Sequence, residues 1–192
     1  YRISALGNVV TTPDRQDTLL REMYQAMEAE VDKILRYNPQ AMIILSVMMR
    51  TTPEWVKAYP EEMTLHGDGT RAATHHSAAS LQWRQDAAKV TEKLVRYVNS
   101  RPWGKSILGY TFLDGGGGEF HQYGRKMGMV DRDKGFAGDF SPAALKSFRE
   151  YLQTKYRDEA SLRLAWNTPA ITFATAGIDN KMLLTPAAEG FF

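Results

Sequence analysis

A chain of 192 residues, 43% hydrophobic and 24% charged with a formal net charge of +2, has the composition of an ordinary globular domain. Its 24 Lys and Arg are interspersed with 22 Asp and Glu, and no apolar stretch approaches the ~20 residues that span a bilayer, so neither nucleic acid nor a membrane is expected as a partner. The lack of cysteine excludes disulfides and thiolate catalysis and leaves the compartment open.

The chain starts at Tyr1 with no charged segment and apolar core of the signal-peptide kind. A short strand is expected over residues 3–10. From Gln16 to Tyr37, apolar residues at Leu20, Met23, Met27, Val31 and Ile34 recur at intervals of three and four, which predicts a helix with one buried face. Asn38-Pro39 ends it, because the proline ring disfavours helical geometry in the residue before it. Residues 41–49 form an apolar run and read as a buried strand ending in Arg50-Thr51-Thr52-Pro53-Glu54-Trp55. A helix followed directly by such a strand is the rhythm of a parallel α/β sheet.

Residues 59–80 read as a long connection, of the length that usually serves function. Ser80 is placed to cap the next helix, whose stripe is Trp83, Ala87, Val90, Leu94 and Val98. Arg101-Pro102-Trp103-Gly104 closes it. Residues 107–113 then form a second apolar run rich in β-branched and aromatic side chains, expected to be a strand buried on both faces. It runs through Asp114 into Gly115-Gly116-Gly117-Gly118-Glu119-Phe120-His121. Ser141-Pro142 is a sound helix start, and Asp158 caps a shorter helix to Trp166. A short extended piece is expected at residues 171–173. The two terminal aromatics, Phe191-Phe192, have no visible helix to bury them, and we read the chain as a segment of a longer protein.

The glycines do not fit phosphate-binding spacings: three residues after Gly117 stands Phe120, and Gly104-Lys105-Ser106 precedes a strand instead of a helix. His75-His76 with His66 and Asp68 lacks a ligand at helical spacing, so no metal is expected and these are read as solvated or substrate-facing loop histidines. No cofactor is implied. Residues just past the strands of an α/β barrel carry its chemistry, which makes Glu119 the first catalytic candidate and Asp114 the rival. A carboxyl group at an apolar strand end suits acid/base work on an acetal. Most tryptophans here read as core, with Trp55, directly after a strand end, as the exception.

Four segments carry a resemblance: Arg50-Thr51-Thr52-Pro53-Glu54-Trp55 with Tyr59-Pro60-Glu61-Glu62; Asp68-Gly69 with Ser77-Ala78-Ala79-Ser80 and Trp83; Ile107-Leu108-Gly109-Tyr110 leading to Gly118-Glu119-Phe120; and Asp139-Phe140-Ser141 with Phe148-Arg149-Glu150-Tyr151-Leu152, Lys155-Tyr156 and Leu162-Arg163-Leu164-Ala165-Trp166-Asn167. The sequence resembles the catalytic barrel of the β-galactosidase-like glycoside hydrolases, family 42 and its relatives in the clan with two catalytic glutamates. The resemblance implies a (β/α)8 TIM barrel, of which residues 1–192 hold about strands 2–4 with their helices and long loops. Residues 41–49 are similar to the third strand and residues 107–113 to the fourth.

It further implies a retaining glycosidase that cleaves terminal sugars from β-glycosides, with Glu119 as general acid/base. The nucleophile, a second glutamate, would lie outside this chain. Where the family has an asparagine before the acid/base, this chain has Gly118. Arg50, Trp55, His121, Tyr123 and Asp114 are the candidate sugar contacts, and a carbohydrate is the expected partner. A full barrel takes ~250 residues, so the segment alone is expected to be inactive. The alternatives are a non-catalytic carbohydrate-binding or pseudoenzyme barrel and a nucleotide-binding α/β domain.

Overall fold

Strand β1 (Arg2–Leu6) is followed by helix α1 (Gln16–Tyr37), strand β2 (Ile43–Met48) and the short helix α2 (Pro53–Ala58). Next come strands β3 (Met63–Leu65) and β4 (Arg71–His76), helix α3 (Leu81–Asn99), strand β5 (Ile107–Leu113), and helices α4 (Pro142–Tyr156) and α5 (Glu159–Trp166). This computed structural model describes residues 1–67, 69–114 and 139–178. They divide between two compact units, one of Tyr1–Pro60, Ala73–His76 and Leu81–Gln122, the other of Glu61–Ala72, Ser77–Ser80 and Tyr123–Phe192.

The first unit is built on a parallel sheet in the order β1-β2-β5. Leu45 of β2 lies opposite Ile3 on one side and Tyr110 on the other. Ile43, Leu45 and Val47 are buried, and each contributes about 1.5–3 kcal/mol by leaving water. Helix α1 buries Leu20, Met27 and Val31, while α3 buries Ala87, Val90, Leu94 and Val98, so the apolar stripes read from the sequence face the core. The strand expected over residues 3–10 is interrupted: β1 stops at Leu6, and Val10 returns as an isolated parallel bridge to Thr51.

Strand β5 has the expected bounds but not the expected burial. Its residues are half-buried, and Leu108 is 65% exposed. The reason is topological: β5 stands at the edge of the described sheet, with a paired neighbour only at β2, so β2 takes the central place. The described residues form no closed barrel, and none of their helices is long and apolar enough to cross a membrane.

Two stretches read as irregular are ordered. Thr52 caps α2, its hydroxyl accepting from the Trp55 amide at 3.4 Å, and Pro53 occupies the first turn, where it costs no hydrogen bond. Within residues 59–80, strands β3 and β4 form a two-stranded sheet across a turn in which the His66 amide donates to Thr70 O and Gly69 takes φ +81°. His75 and His76 therefore belong to a strand and not to a loop. Gly104 lies in a 3-10 turn leading into β5, where an added Cβ would collide with the Val98 carbonyl. Close backbone packing, not phosphate, accounts for that glycine.

In the second unit, Ser141 caps α4 by accepting from the Ala144 amide at 3.1 Å, and Asp158 caps α5 by accepting from the Ser161 amide at 2.7 Å. Phe148, Leu152, Leu162 and Ala176 form its core, with Trp166, Ile171 and Phe173 packed against it. The extended piece expected at residues 171–173 is not a strand. Arg163 Nε donates to Ile171 O and Arg149 Nε to Ala176 O, each at 2.9 Å, and Glu159 accepts from the Phe173 amide at 3.3 Å. Helix side chains satisfy this backbone, so it needs no strand partner.

Candidate functional site

The parallel arrangement brings the carboxyl ends of β2 and β5 side by side, and two of the three sequence candidates that the structure describes, Arg50 and Asp114, meet there. The Met49 amide donates to Leu113 O at 2.7 Å, carrying the pairing one step beyond β2. The next residue, half-buried Arg50, donates from Nε to the Asp114 carbonyl at 2.6 Å. Asp114 has no exposed surface, and its carboxylate Oδ2 lies 3.8 Å from Nε2 of His76, itself 1% exposed at the end of β4. At that separation the two groups are neighbours beyond hydrogen-bond range.

The His76 ring stacks on Trp83 with centroids 3.7 Å apart and planes within 9°. Trp83, in the first turn of α3, donates from Nε1 to Met49 O at 3.1 Å. A closed circuit results, running from Met49 and Arg50 to Asp114, His76, Trp83 and back to Met49. It ties two parallel strand ends, the end of β4 and the start of α3. The guanidinium of Arg50 donates, and the carboxylate of Asp114 can only accept when ionised.

The structure thus joins Arg50 and Asp114. Glu119, His121 and Tyr123 lie outside the described residues. Trp55 is corrected: it is fully buried, and its indole N–H donates to Asp86 Oδ2 at 3.0 Å, so its ring has no face to offer a sugar. Asp86 is also fully buried and accepts from Gln82 at 2.9 Å and Lys89 at 3.5 Å, which makes it the hub joining α2 to α3. The Asp114 carboxylate, facing His76 from a buried position, is likewise not placed as a direct sugar contact.

The sequence reads His76 as a solvated or substrate-facing loop histidine and Trp83 as part of the α3 stripe, and neither reading brings the two together with Asp114. The signal for His76 was the alternation of a strand, which sets His75 half-buried on one side and His76 buried on the other. Trp83 sits at helical spacing to Ala87, and nothing in that spacing reveals that its ring meets a histidine. Among the described residues no group of three or more His, Asp or Glu could hold a metal ion.

In fold the chain is similar to solved β-galactosidases. It matches that of Bacillus circulans sp. alkalophilus with a TM-score of 0.61 and 16% identity, covering 92% of this chain and 24% of that one. For the psychrophilic Marinomonas ef1 enzyme the TM-score is 0.55 at 18% identity, covering 96% and 26%. For the polyextremophilic β-galactosidase of the Antarctic haloarchaeon Halorubrum lacusprofundi the values are 0.57, 17%, 81% and 22%. No protein-family model matches the sequence, and no curated protein sequence does.

The class these findings define is an α/β fold like that within β-galactosidases. The chain spans about a quarter of the length of the structures it matches.

Proposed function

We propose that this chain is part of the (β/α)8 catalytic barrel of a retaining, β-galactosidase-like glycoside hydrolase, contributing about strands 2–4 with their helices and loops. One observation carries the reading. In a β-galactosidase-like fold, β5 leaves a parallel sheet at a cluster of Arg50, His76 and Asp114, and five residues further on the sequence supplies a glutamate. The carboxyl ends of parallel barrel strands are where such folds place their chemistry.

Glu119 would donate a proton to the departing glycosidic oxygen and then, as its conjugate base, deprotonate the water that releases the sugar. A second carboxylate about 5 Å away, from a residue outside this chain, would attack the anomeric carbon. Arg50, His121 and Tyr123 are the proposed sugar contacts. Since both carboxylates are needed, the isolated segment should be inactive.

The test follows the full-length protein on an aryl β-galactoside by proton NMR. Appearance of the β-anomer of the sugar before mutarotation supports retention. The α-anomer appearing first overturns the mechanism, and sugar binding without any hydrolysis moves the assignment to a carbohydrate-binding barrel.

A further inference from the structure

Arg50 is held from both ends. Its main-chain carbonyl accepts from the Val10 amide at 3.1 Å, and the carbonyl one residue earlier, Met49 O, accepts from Trp83 Nε1 at 3.1 Å. Its side chain is held at Nε, which donates to the Asp114 carbonyl at 2.6 Å. The Nη amino groups make no hydrogen bond and no ion pair among the described residues. A guanidinium fixed by one bond to a neutral carbonyl, with the rest of its planar fork unused, is arranged to receive acceptors and not to neutralise a carboxylate.

Both ends lead to the same pair of rings. Trp83 holds the strand end from which Arg50 leaves. His76, its ring 3.7 Å from that of Trp83 and within 9° of parallel, faces at 3.8 Å the carboxylate of Asp114, the residue that holds the guanidinium. Every contact in this brace lies within the first unit. An arginine free to rotate must give up its rotamers when a ligand arrives, and that ordering weakens binding; a braced one has given them up beforehand.

We infer that the stacked pair of His76 and Trp83 positions Arg50 for sugar binding, bracing both the backbone from which Arg50 leaves and the residue that holds its guanidinium. This rests on Arg50 being a sugar contact, as proposed above. His76, at 1% exposure, does not itself reach a ligand.

The test is a double-mutant cycle read as the Kd of D-galactose by titration calorimetry on the full-length protein. Trp83→Phe removes the N–H that Met49 O accepts and keeps a ring for His76, while His76→Gln removes the ring stack and keeps a side-chain nitrogen near Asp114. Each should raise Kd by about three- to tenfold, the range that freeing one rotamer-rich side chain allows. Arg50→Ala should raise it by more. In the Arg50→Ala background either brace variant should add less than about twofold, because the side chain through which it acts is gone. Only one of the two needs to fold, as judged by circular dichroism, for the cycle to be read.

Losses that persist undiminished in the Arg50→Ala background overturn the inference, since they mark a direct contact of Trp83 with the sugar or a general disturbance of the site. An unchanged Kd in a folded brace variant overturns it as well. In either case a loss on Arg50→Ala leaves the assignment of Arg50 as a sugar contact standing. If Arg50→Ala binds galactose as wild type does, that assignment falls and the inference with it. If wild type binds no galactose, the galactoside reading falls too.

Discussion

Replacing Trp55 with phenylalanine separates a core tryptophan from a sugar-binding one. The indole N–H of Trp55 meets a carboxylate, Asp86, with no exposed surface. A hydrogen bond to a charged group contributes about 1.5–3 kcal/mol, because the partner left behind keeps its full desolvation cost. The remaining partners compensate little: Gln82 already donates at 2.9 Å, and Lys89, at 3.5 Å, is 53% exposed and screened by water. The smaller ring also leaves a void, so Trp55→Phe should cost about 2–4 kcal/mol in urea unfolding followed by circular dichroism. Combined with Asp86→Ala in a double-mutant cycle, the two should couple by about 1–3 kcal/mol. Affinity for a galactose-based inhibitor should change less than about twofold, since no sugar is stacked on a buried ring. A cost below about 0.5 kcal/mol, or coupling near zero, would refute the network as the reason Trp55 is buried.

Other perturbations test the remaining packing and electrostatics. Phe148→Ala, at the centre of the second unit's core, should destabilise by about 3–5 kcal/mol in the same assay. Tyr24 stacks on Tyr97 at 3.8 Å, its hydroxyl has no hydrogen-bond partner among the described residues, and burial, then the neighbouring Tyr97 and Asp17, push its phenol up to about 12. Tyr24→Phe should therefore be neutral or stabilising at pH 7. Because the folded state holds the phenol proton more tightly than the unfolded one, wild type should lose stability relative to the variant as pH rises from about 10 through about 12, read from thermal midpoints. The Asp158 carboxyl is held below its ordinary 3.8 by the Ser161 backbone amide and then the Ser161 side chain. A depressed folded value means stabilisation present above the ordinary value and lost as pH falls through the folded one, so the melting gap between wild type and Asp158→Ala should close in acid.

What was legible in the sequence was what is local. Helices α1 and α5 begin and end where spacing and caps put them, because Asn38-Pro39, Asp158 and Asn167 act on backbone within a few residues. Strand β5 was found by its apolar run, but its half-burial was not, since burial depends on which strand lies alongside. Helix α2 and strands β3 and β4 are too short for periodicity to register. The candidate site divides in the same way. Arg50 and Asp114 were marked by following apolar strands, whereas the roles of Trp55 and Trp83 were set by distant partners, Asp86 and Met49, at separations of 31 and 34 residues. The pairing of His76 with Asp114 joins two strands that no spacing rule connects.

The measurement that bears most directly on the central claim is azide rescue of Glu119→Ala in the full-length protein, with a dinitrophenyl β-galactoside as substrate. An acid/base variant forms the glycosyl-enzyme from this activated substrate but lacks the base that brings in water, so the intermediate accumulates and azide, which needs no base, takes it. The account predicts faster turnover with added azide and β-galactosyl azide as the product. A Glu119→Ala protein as active as wild type, or one that yields the α-azide, would contradict it.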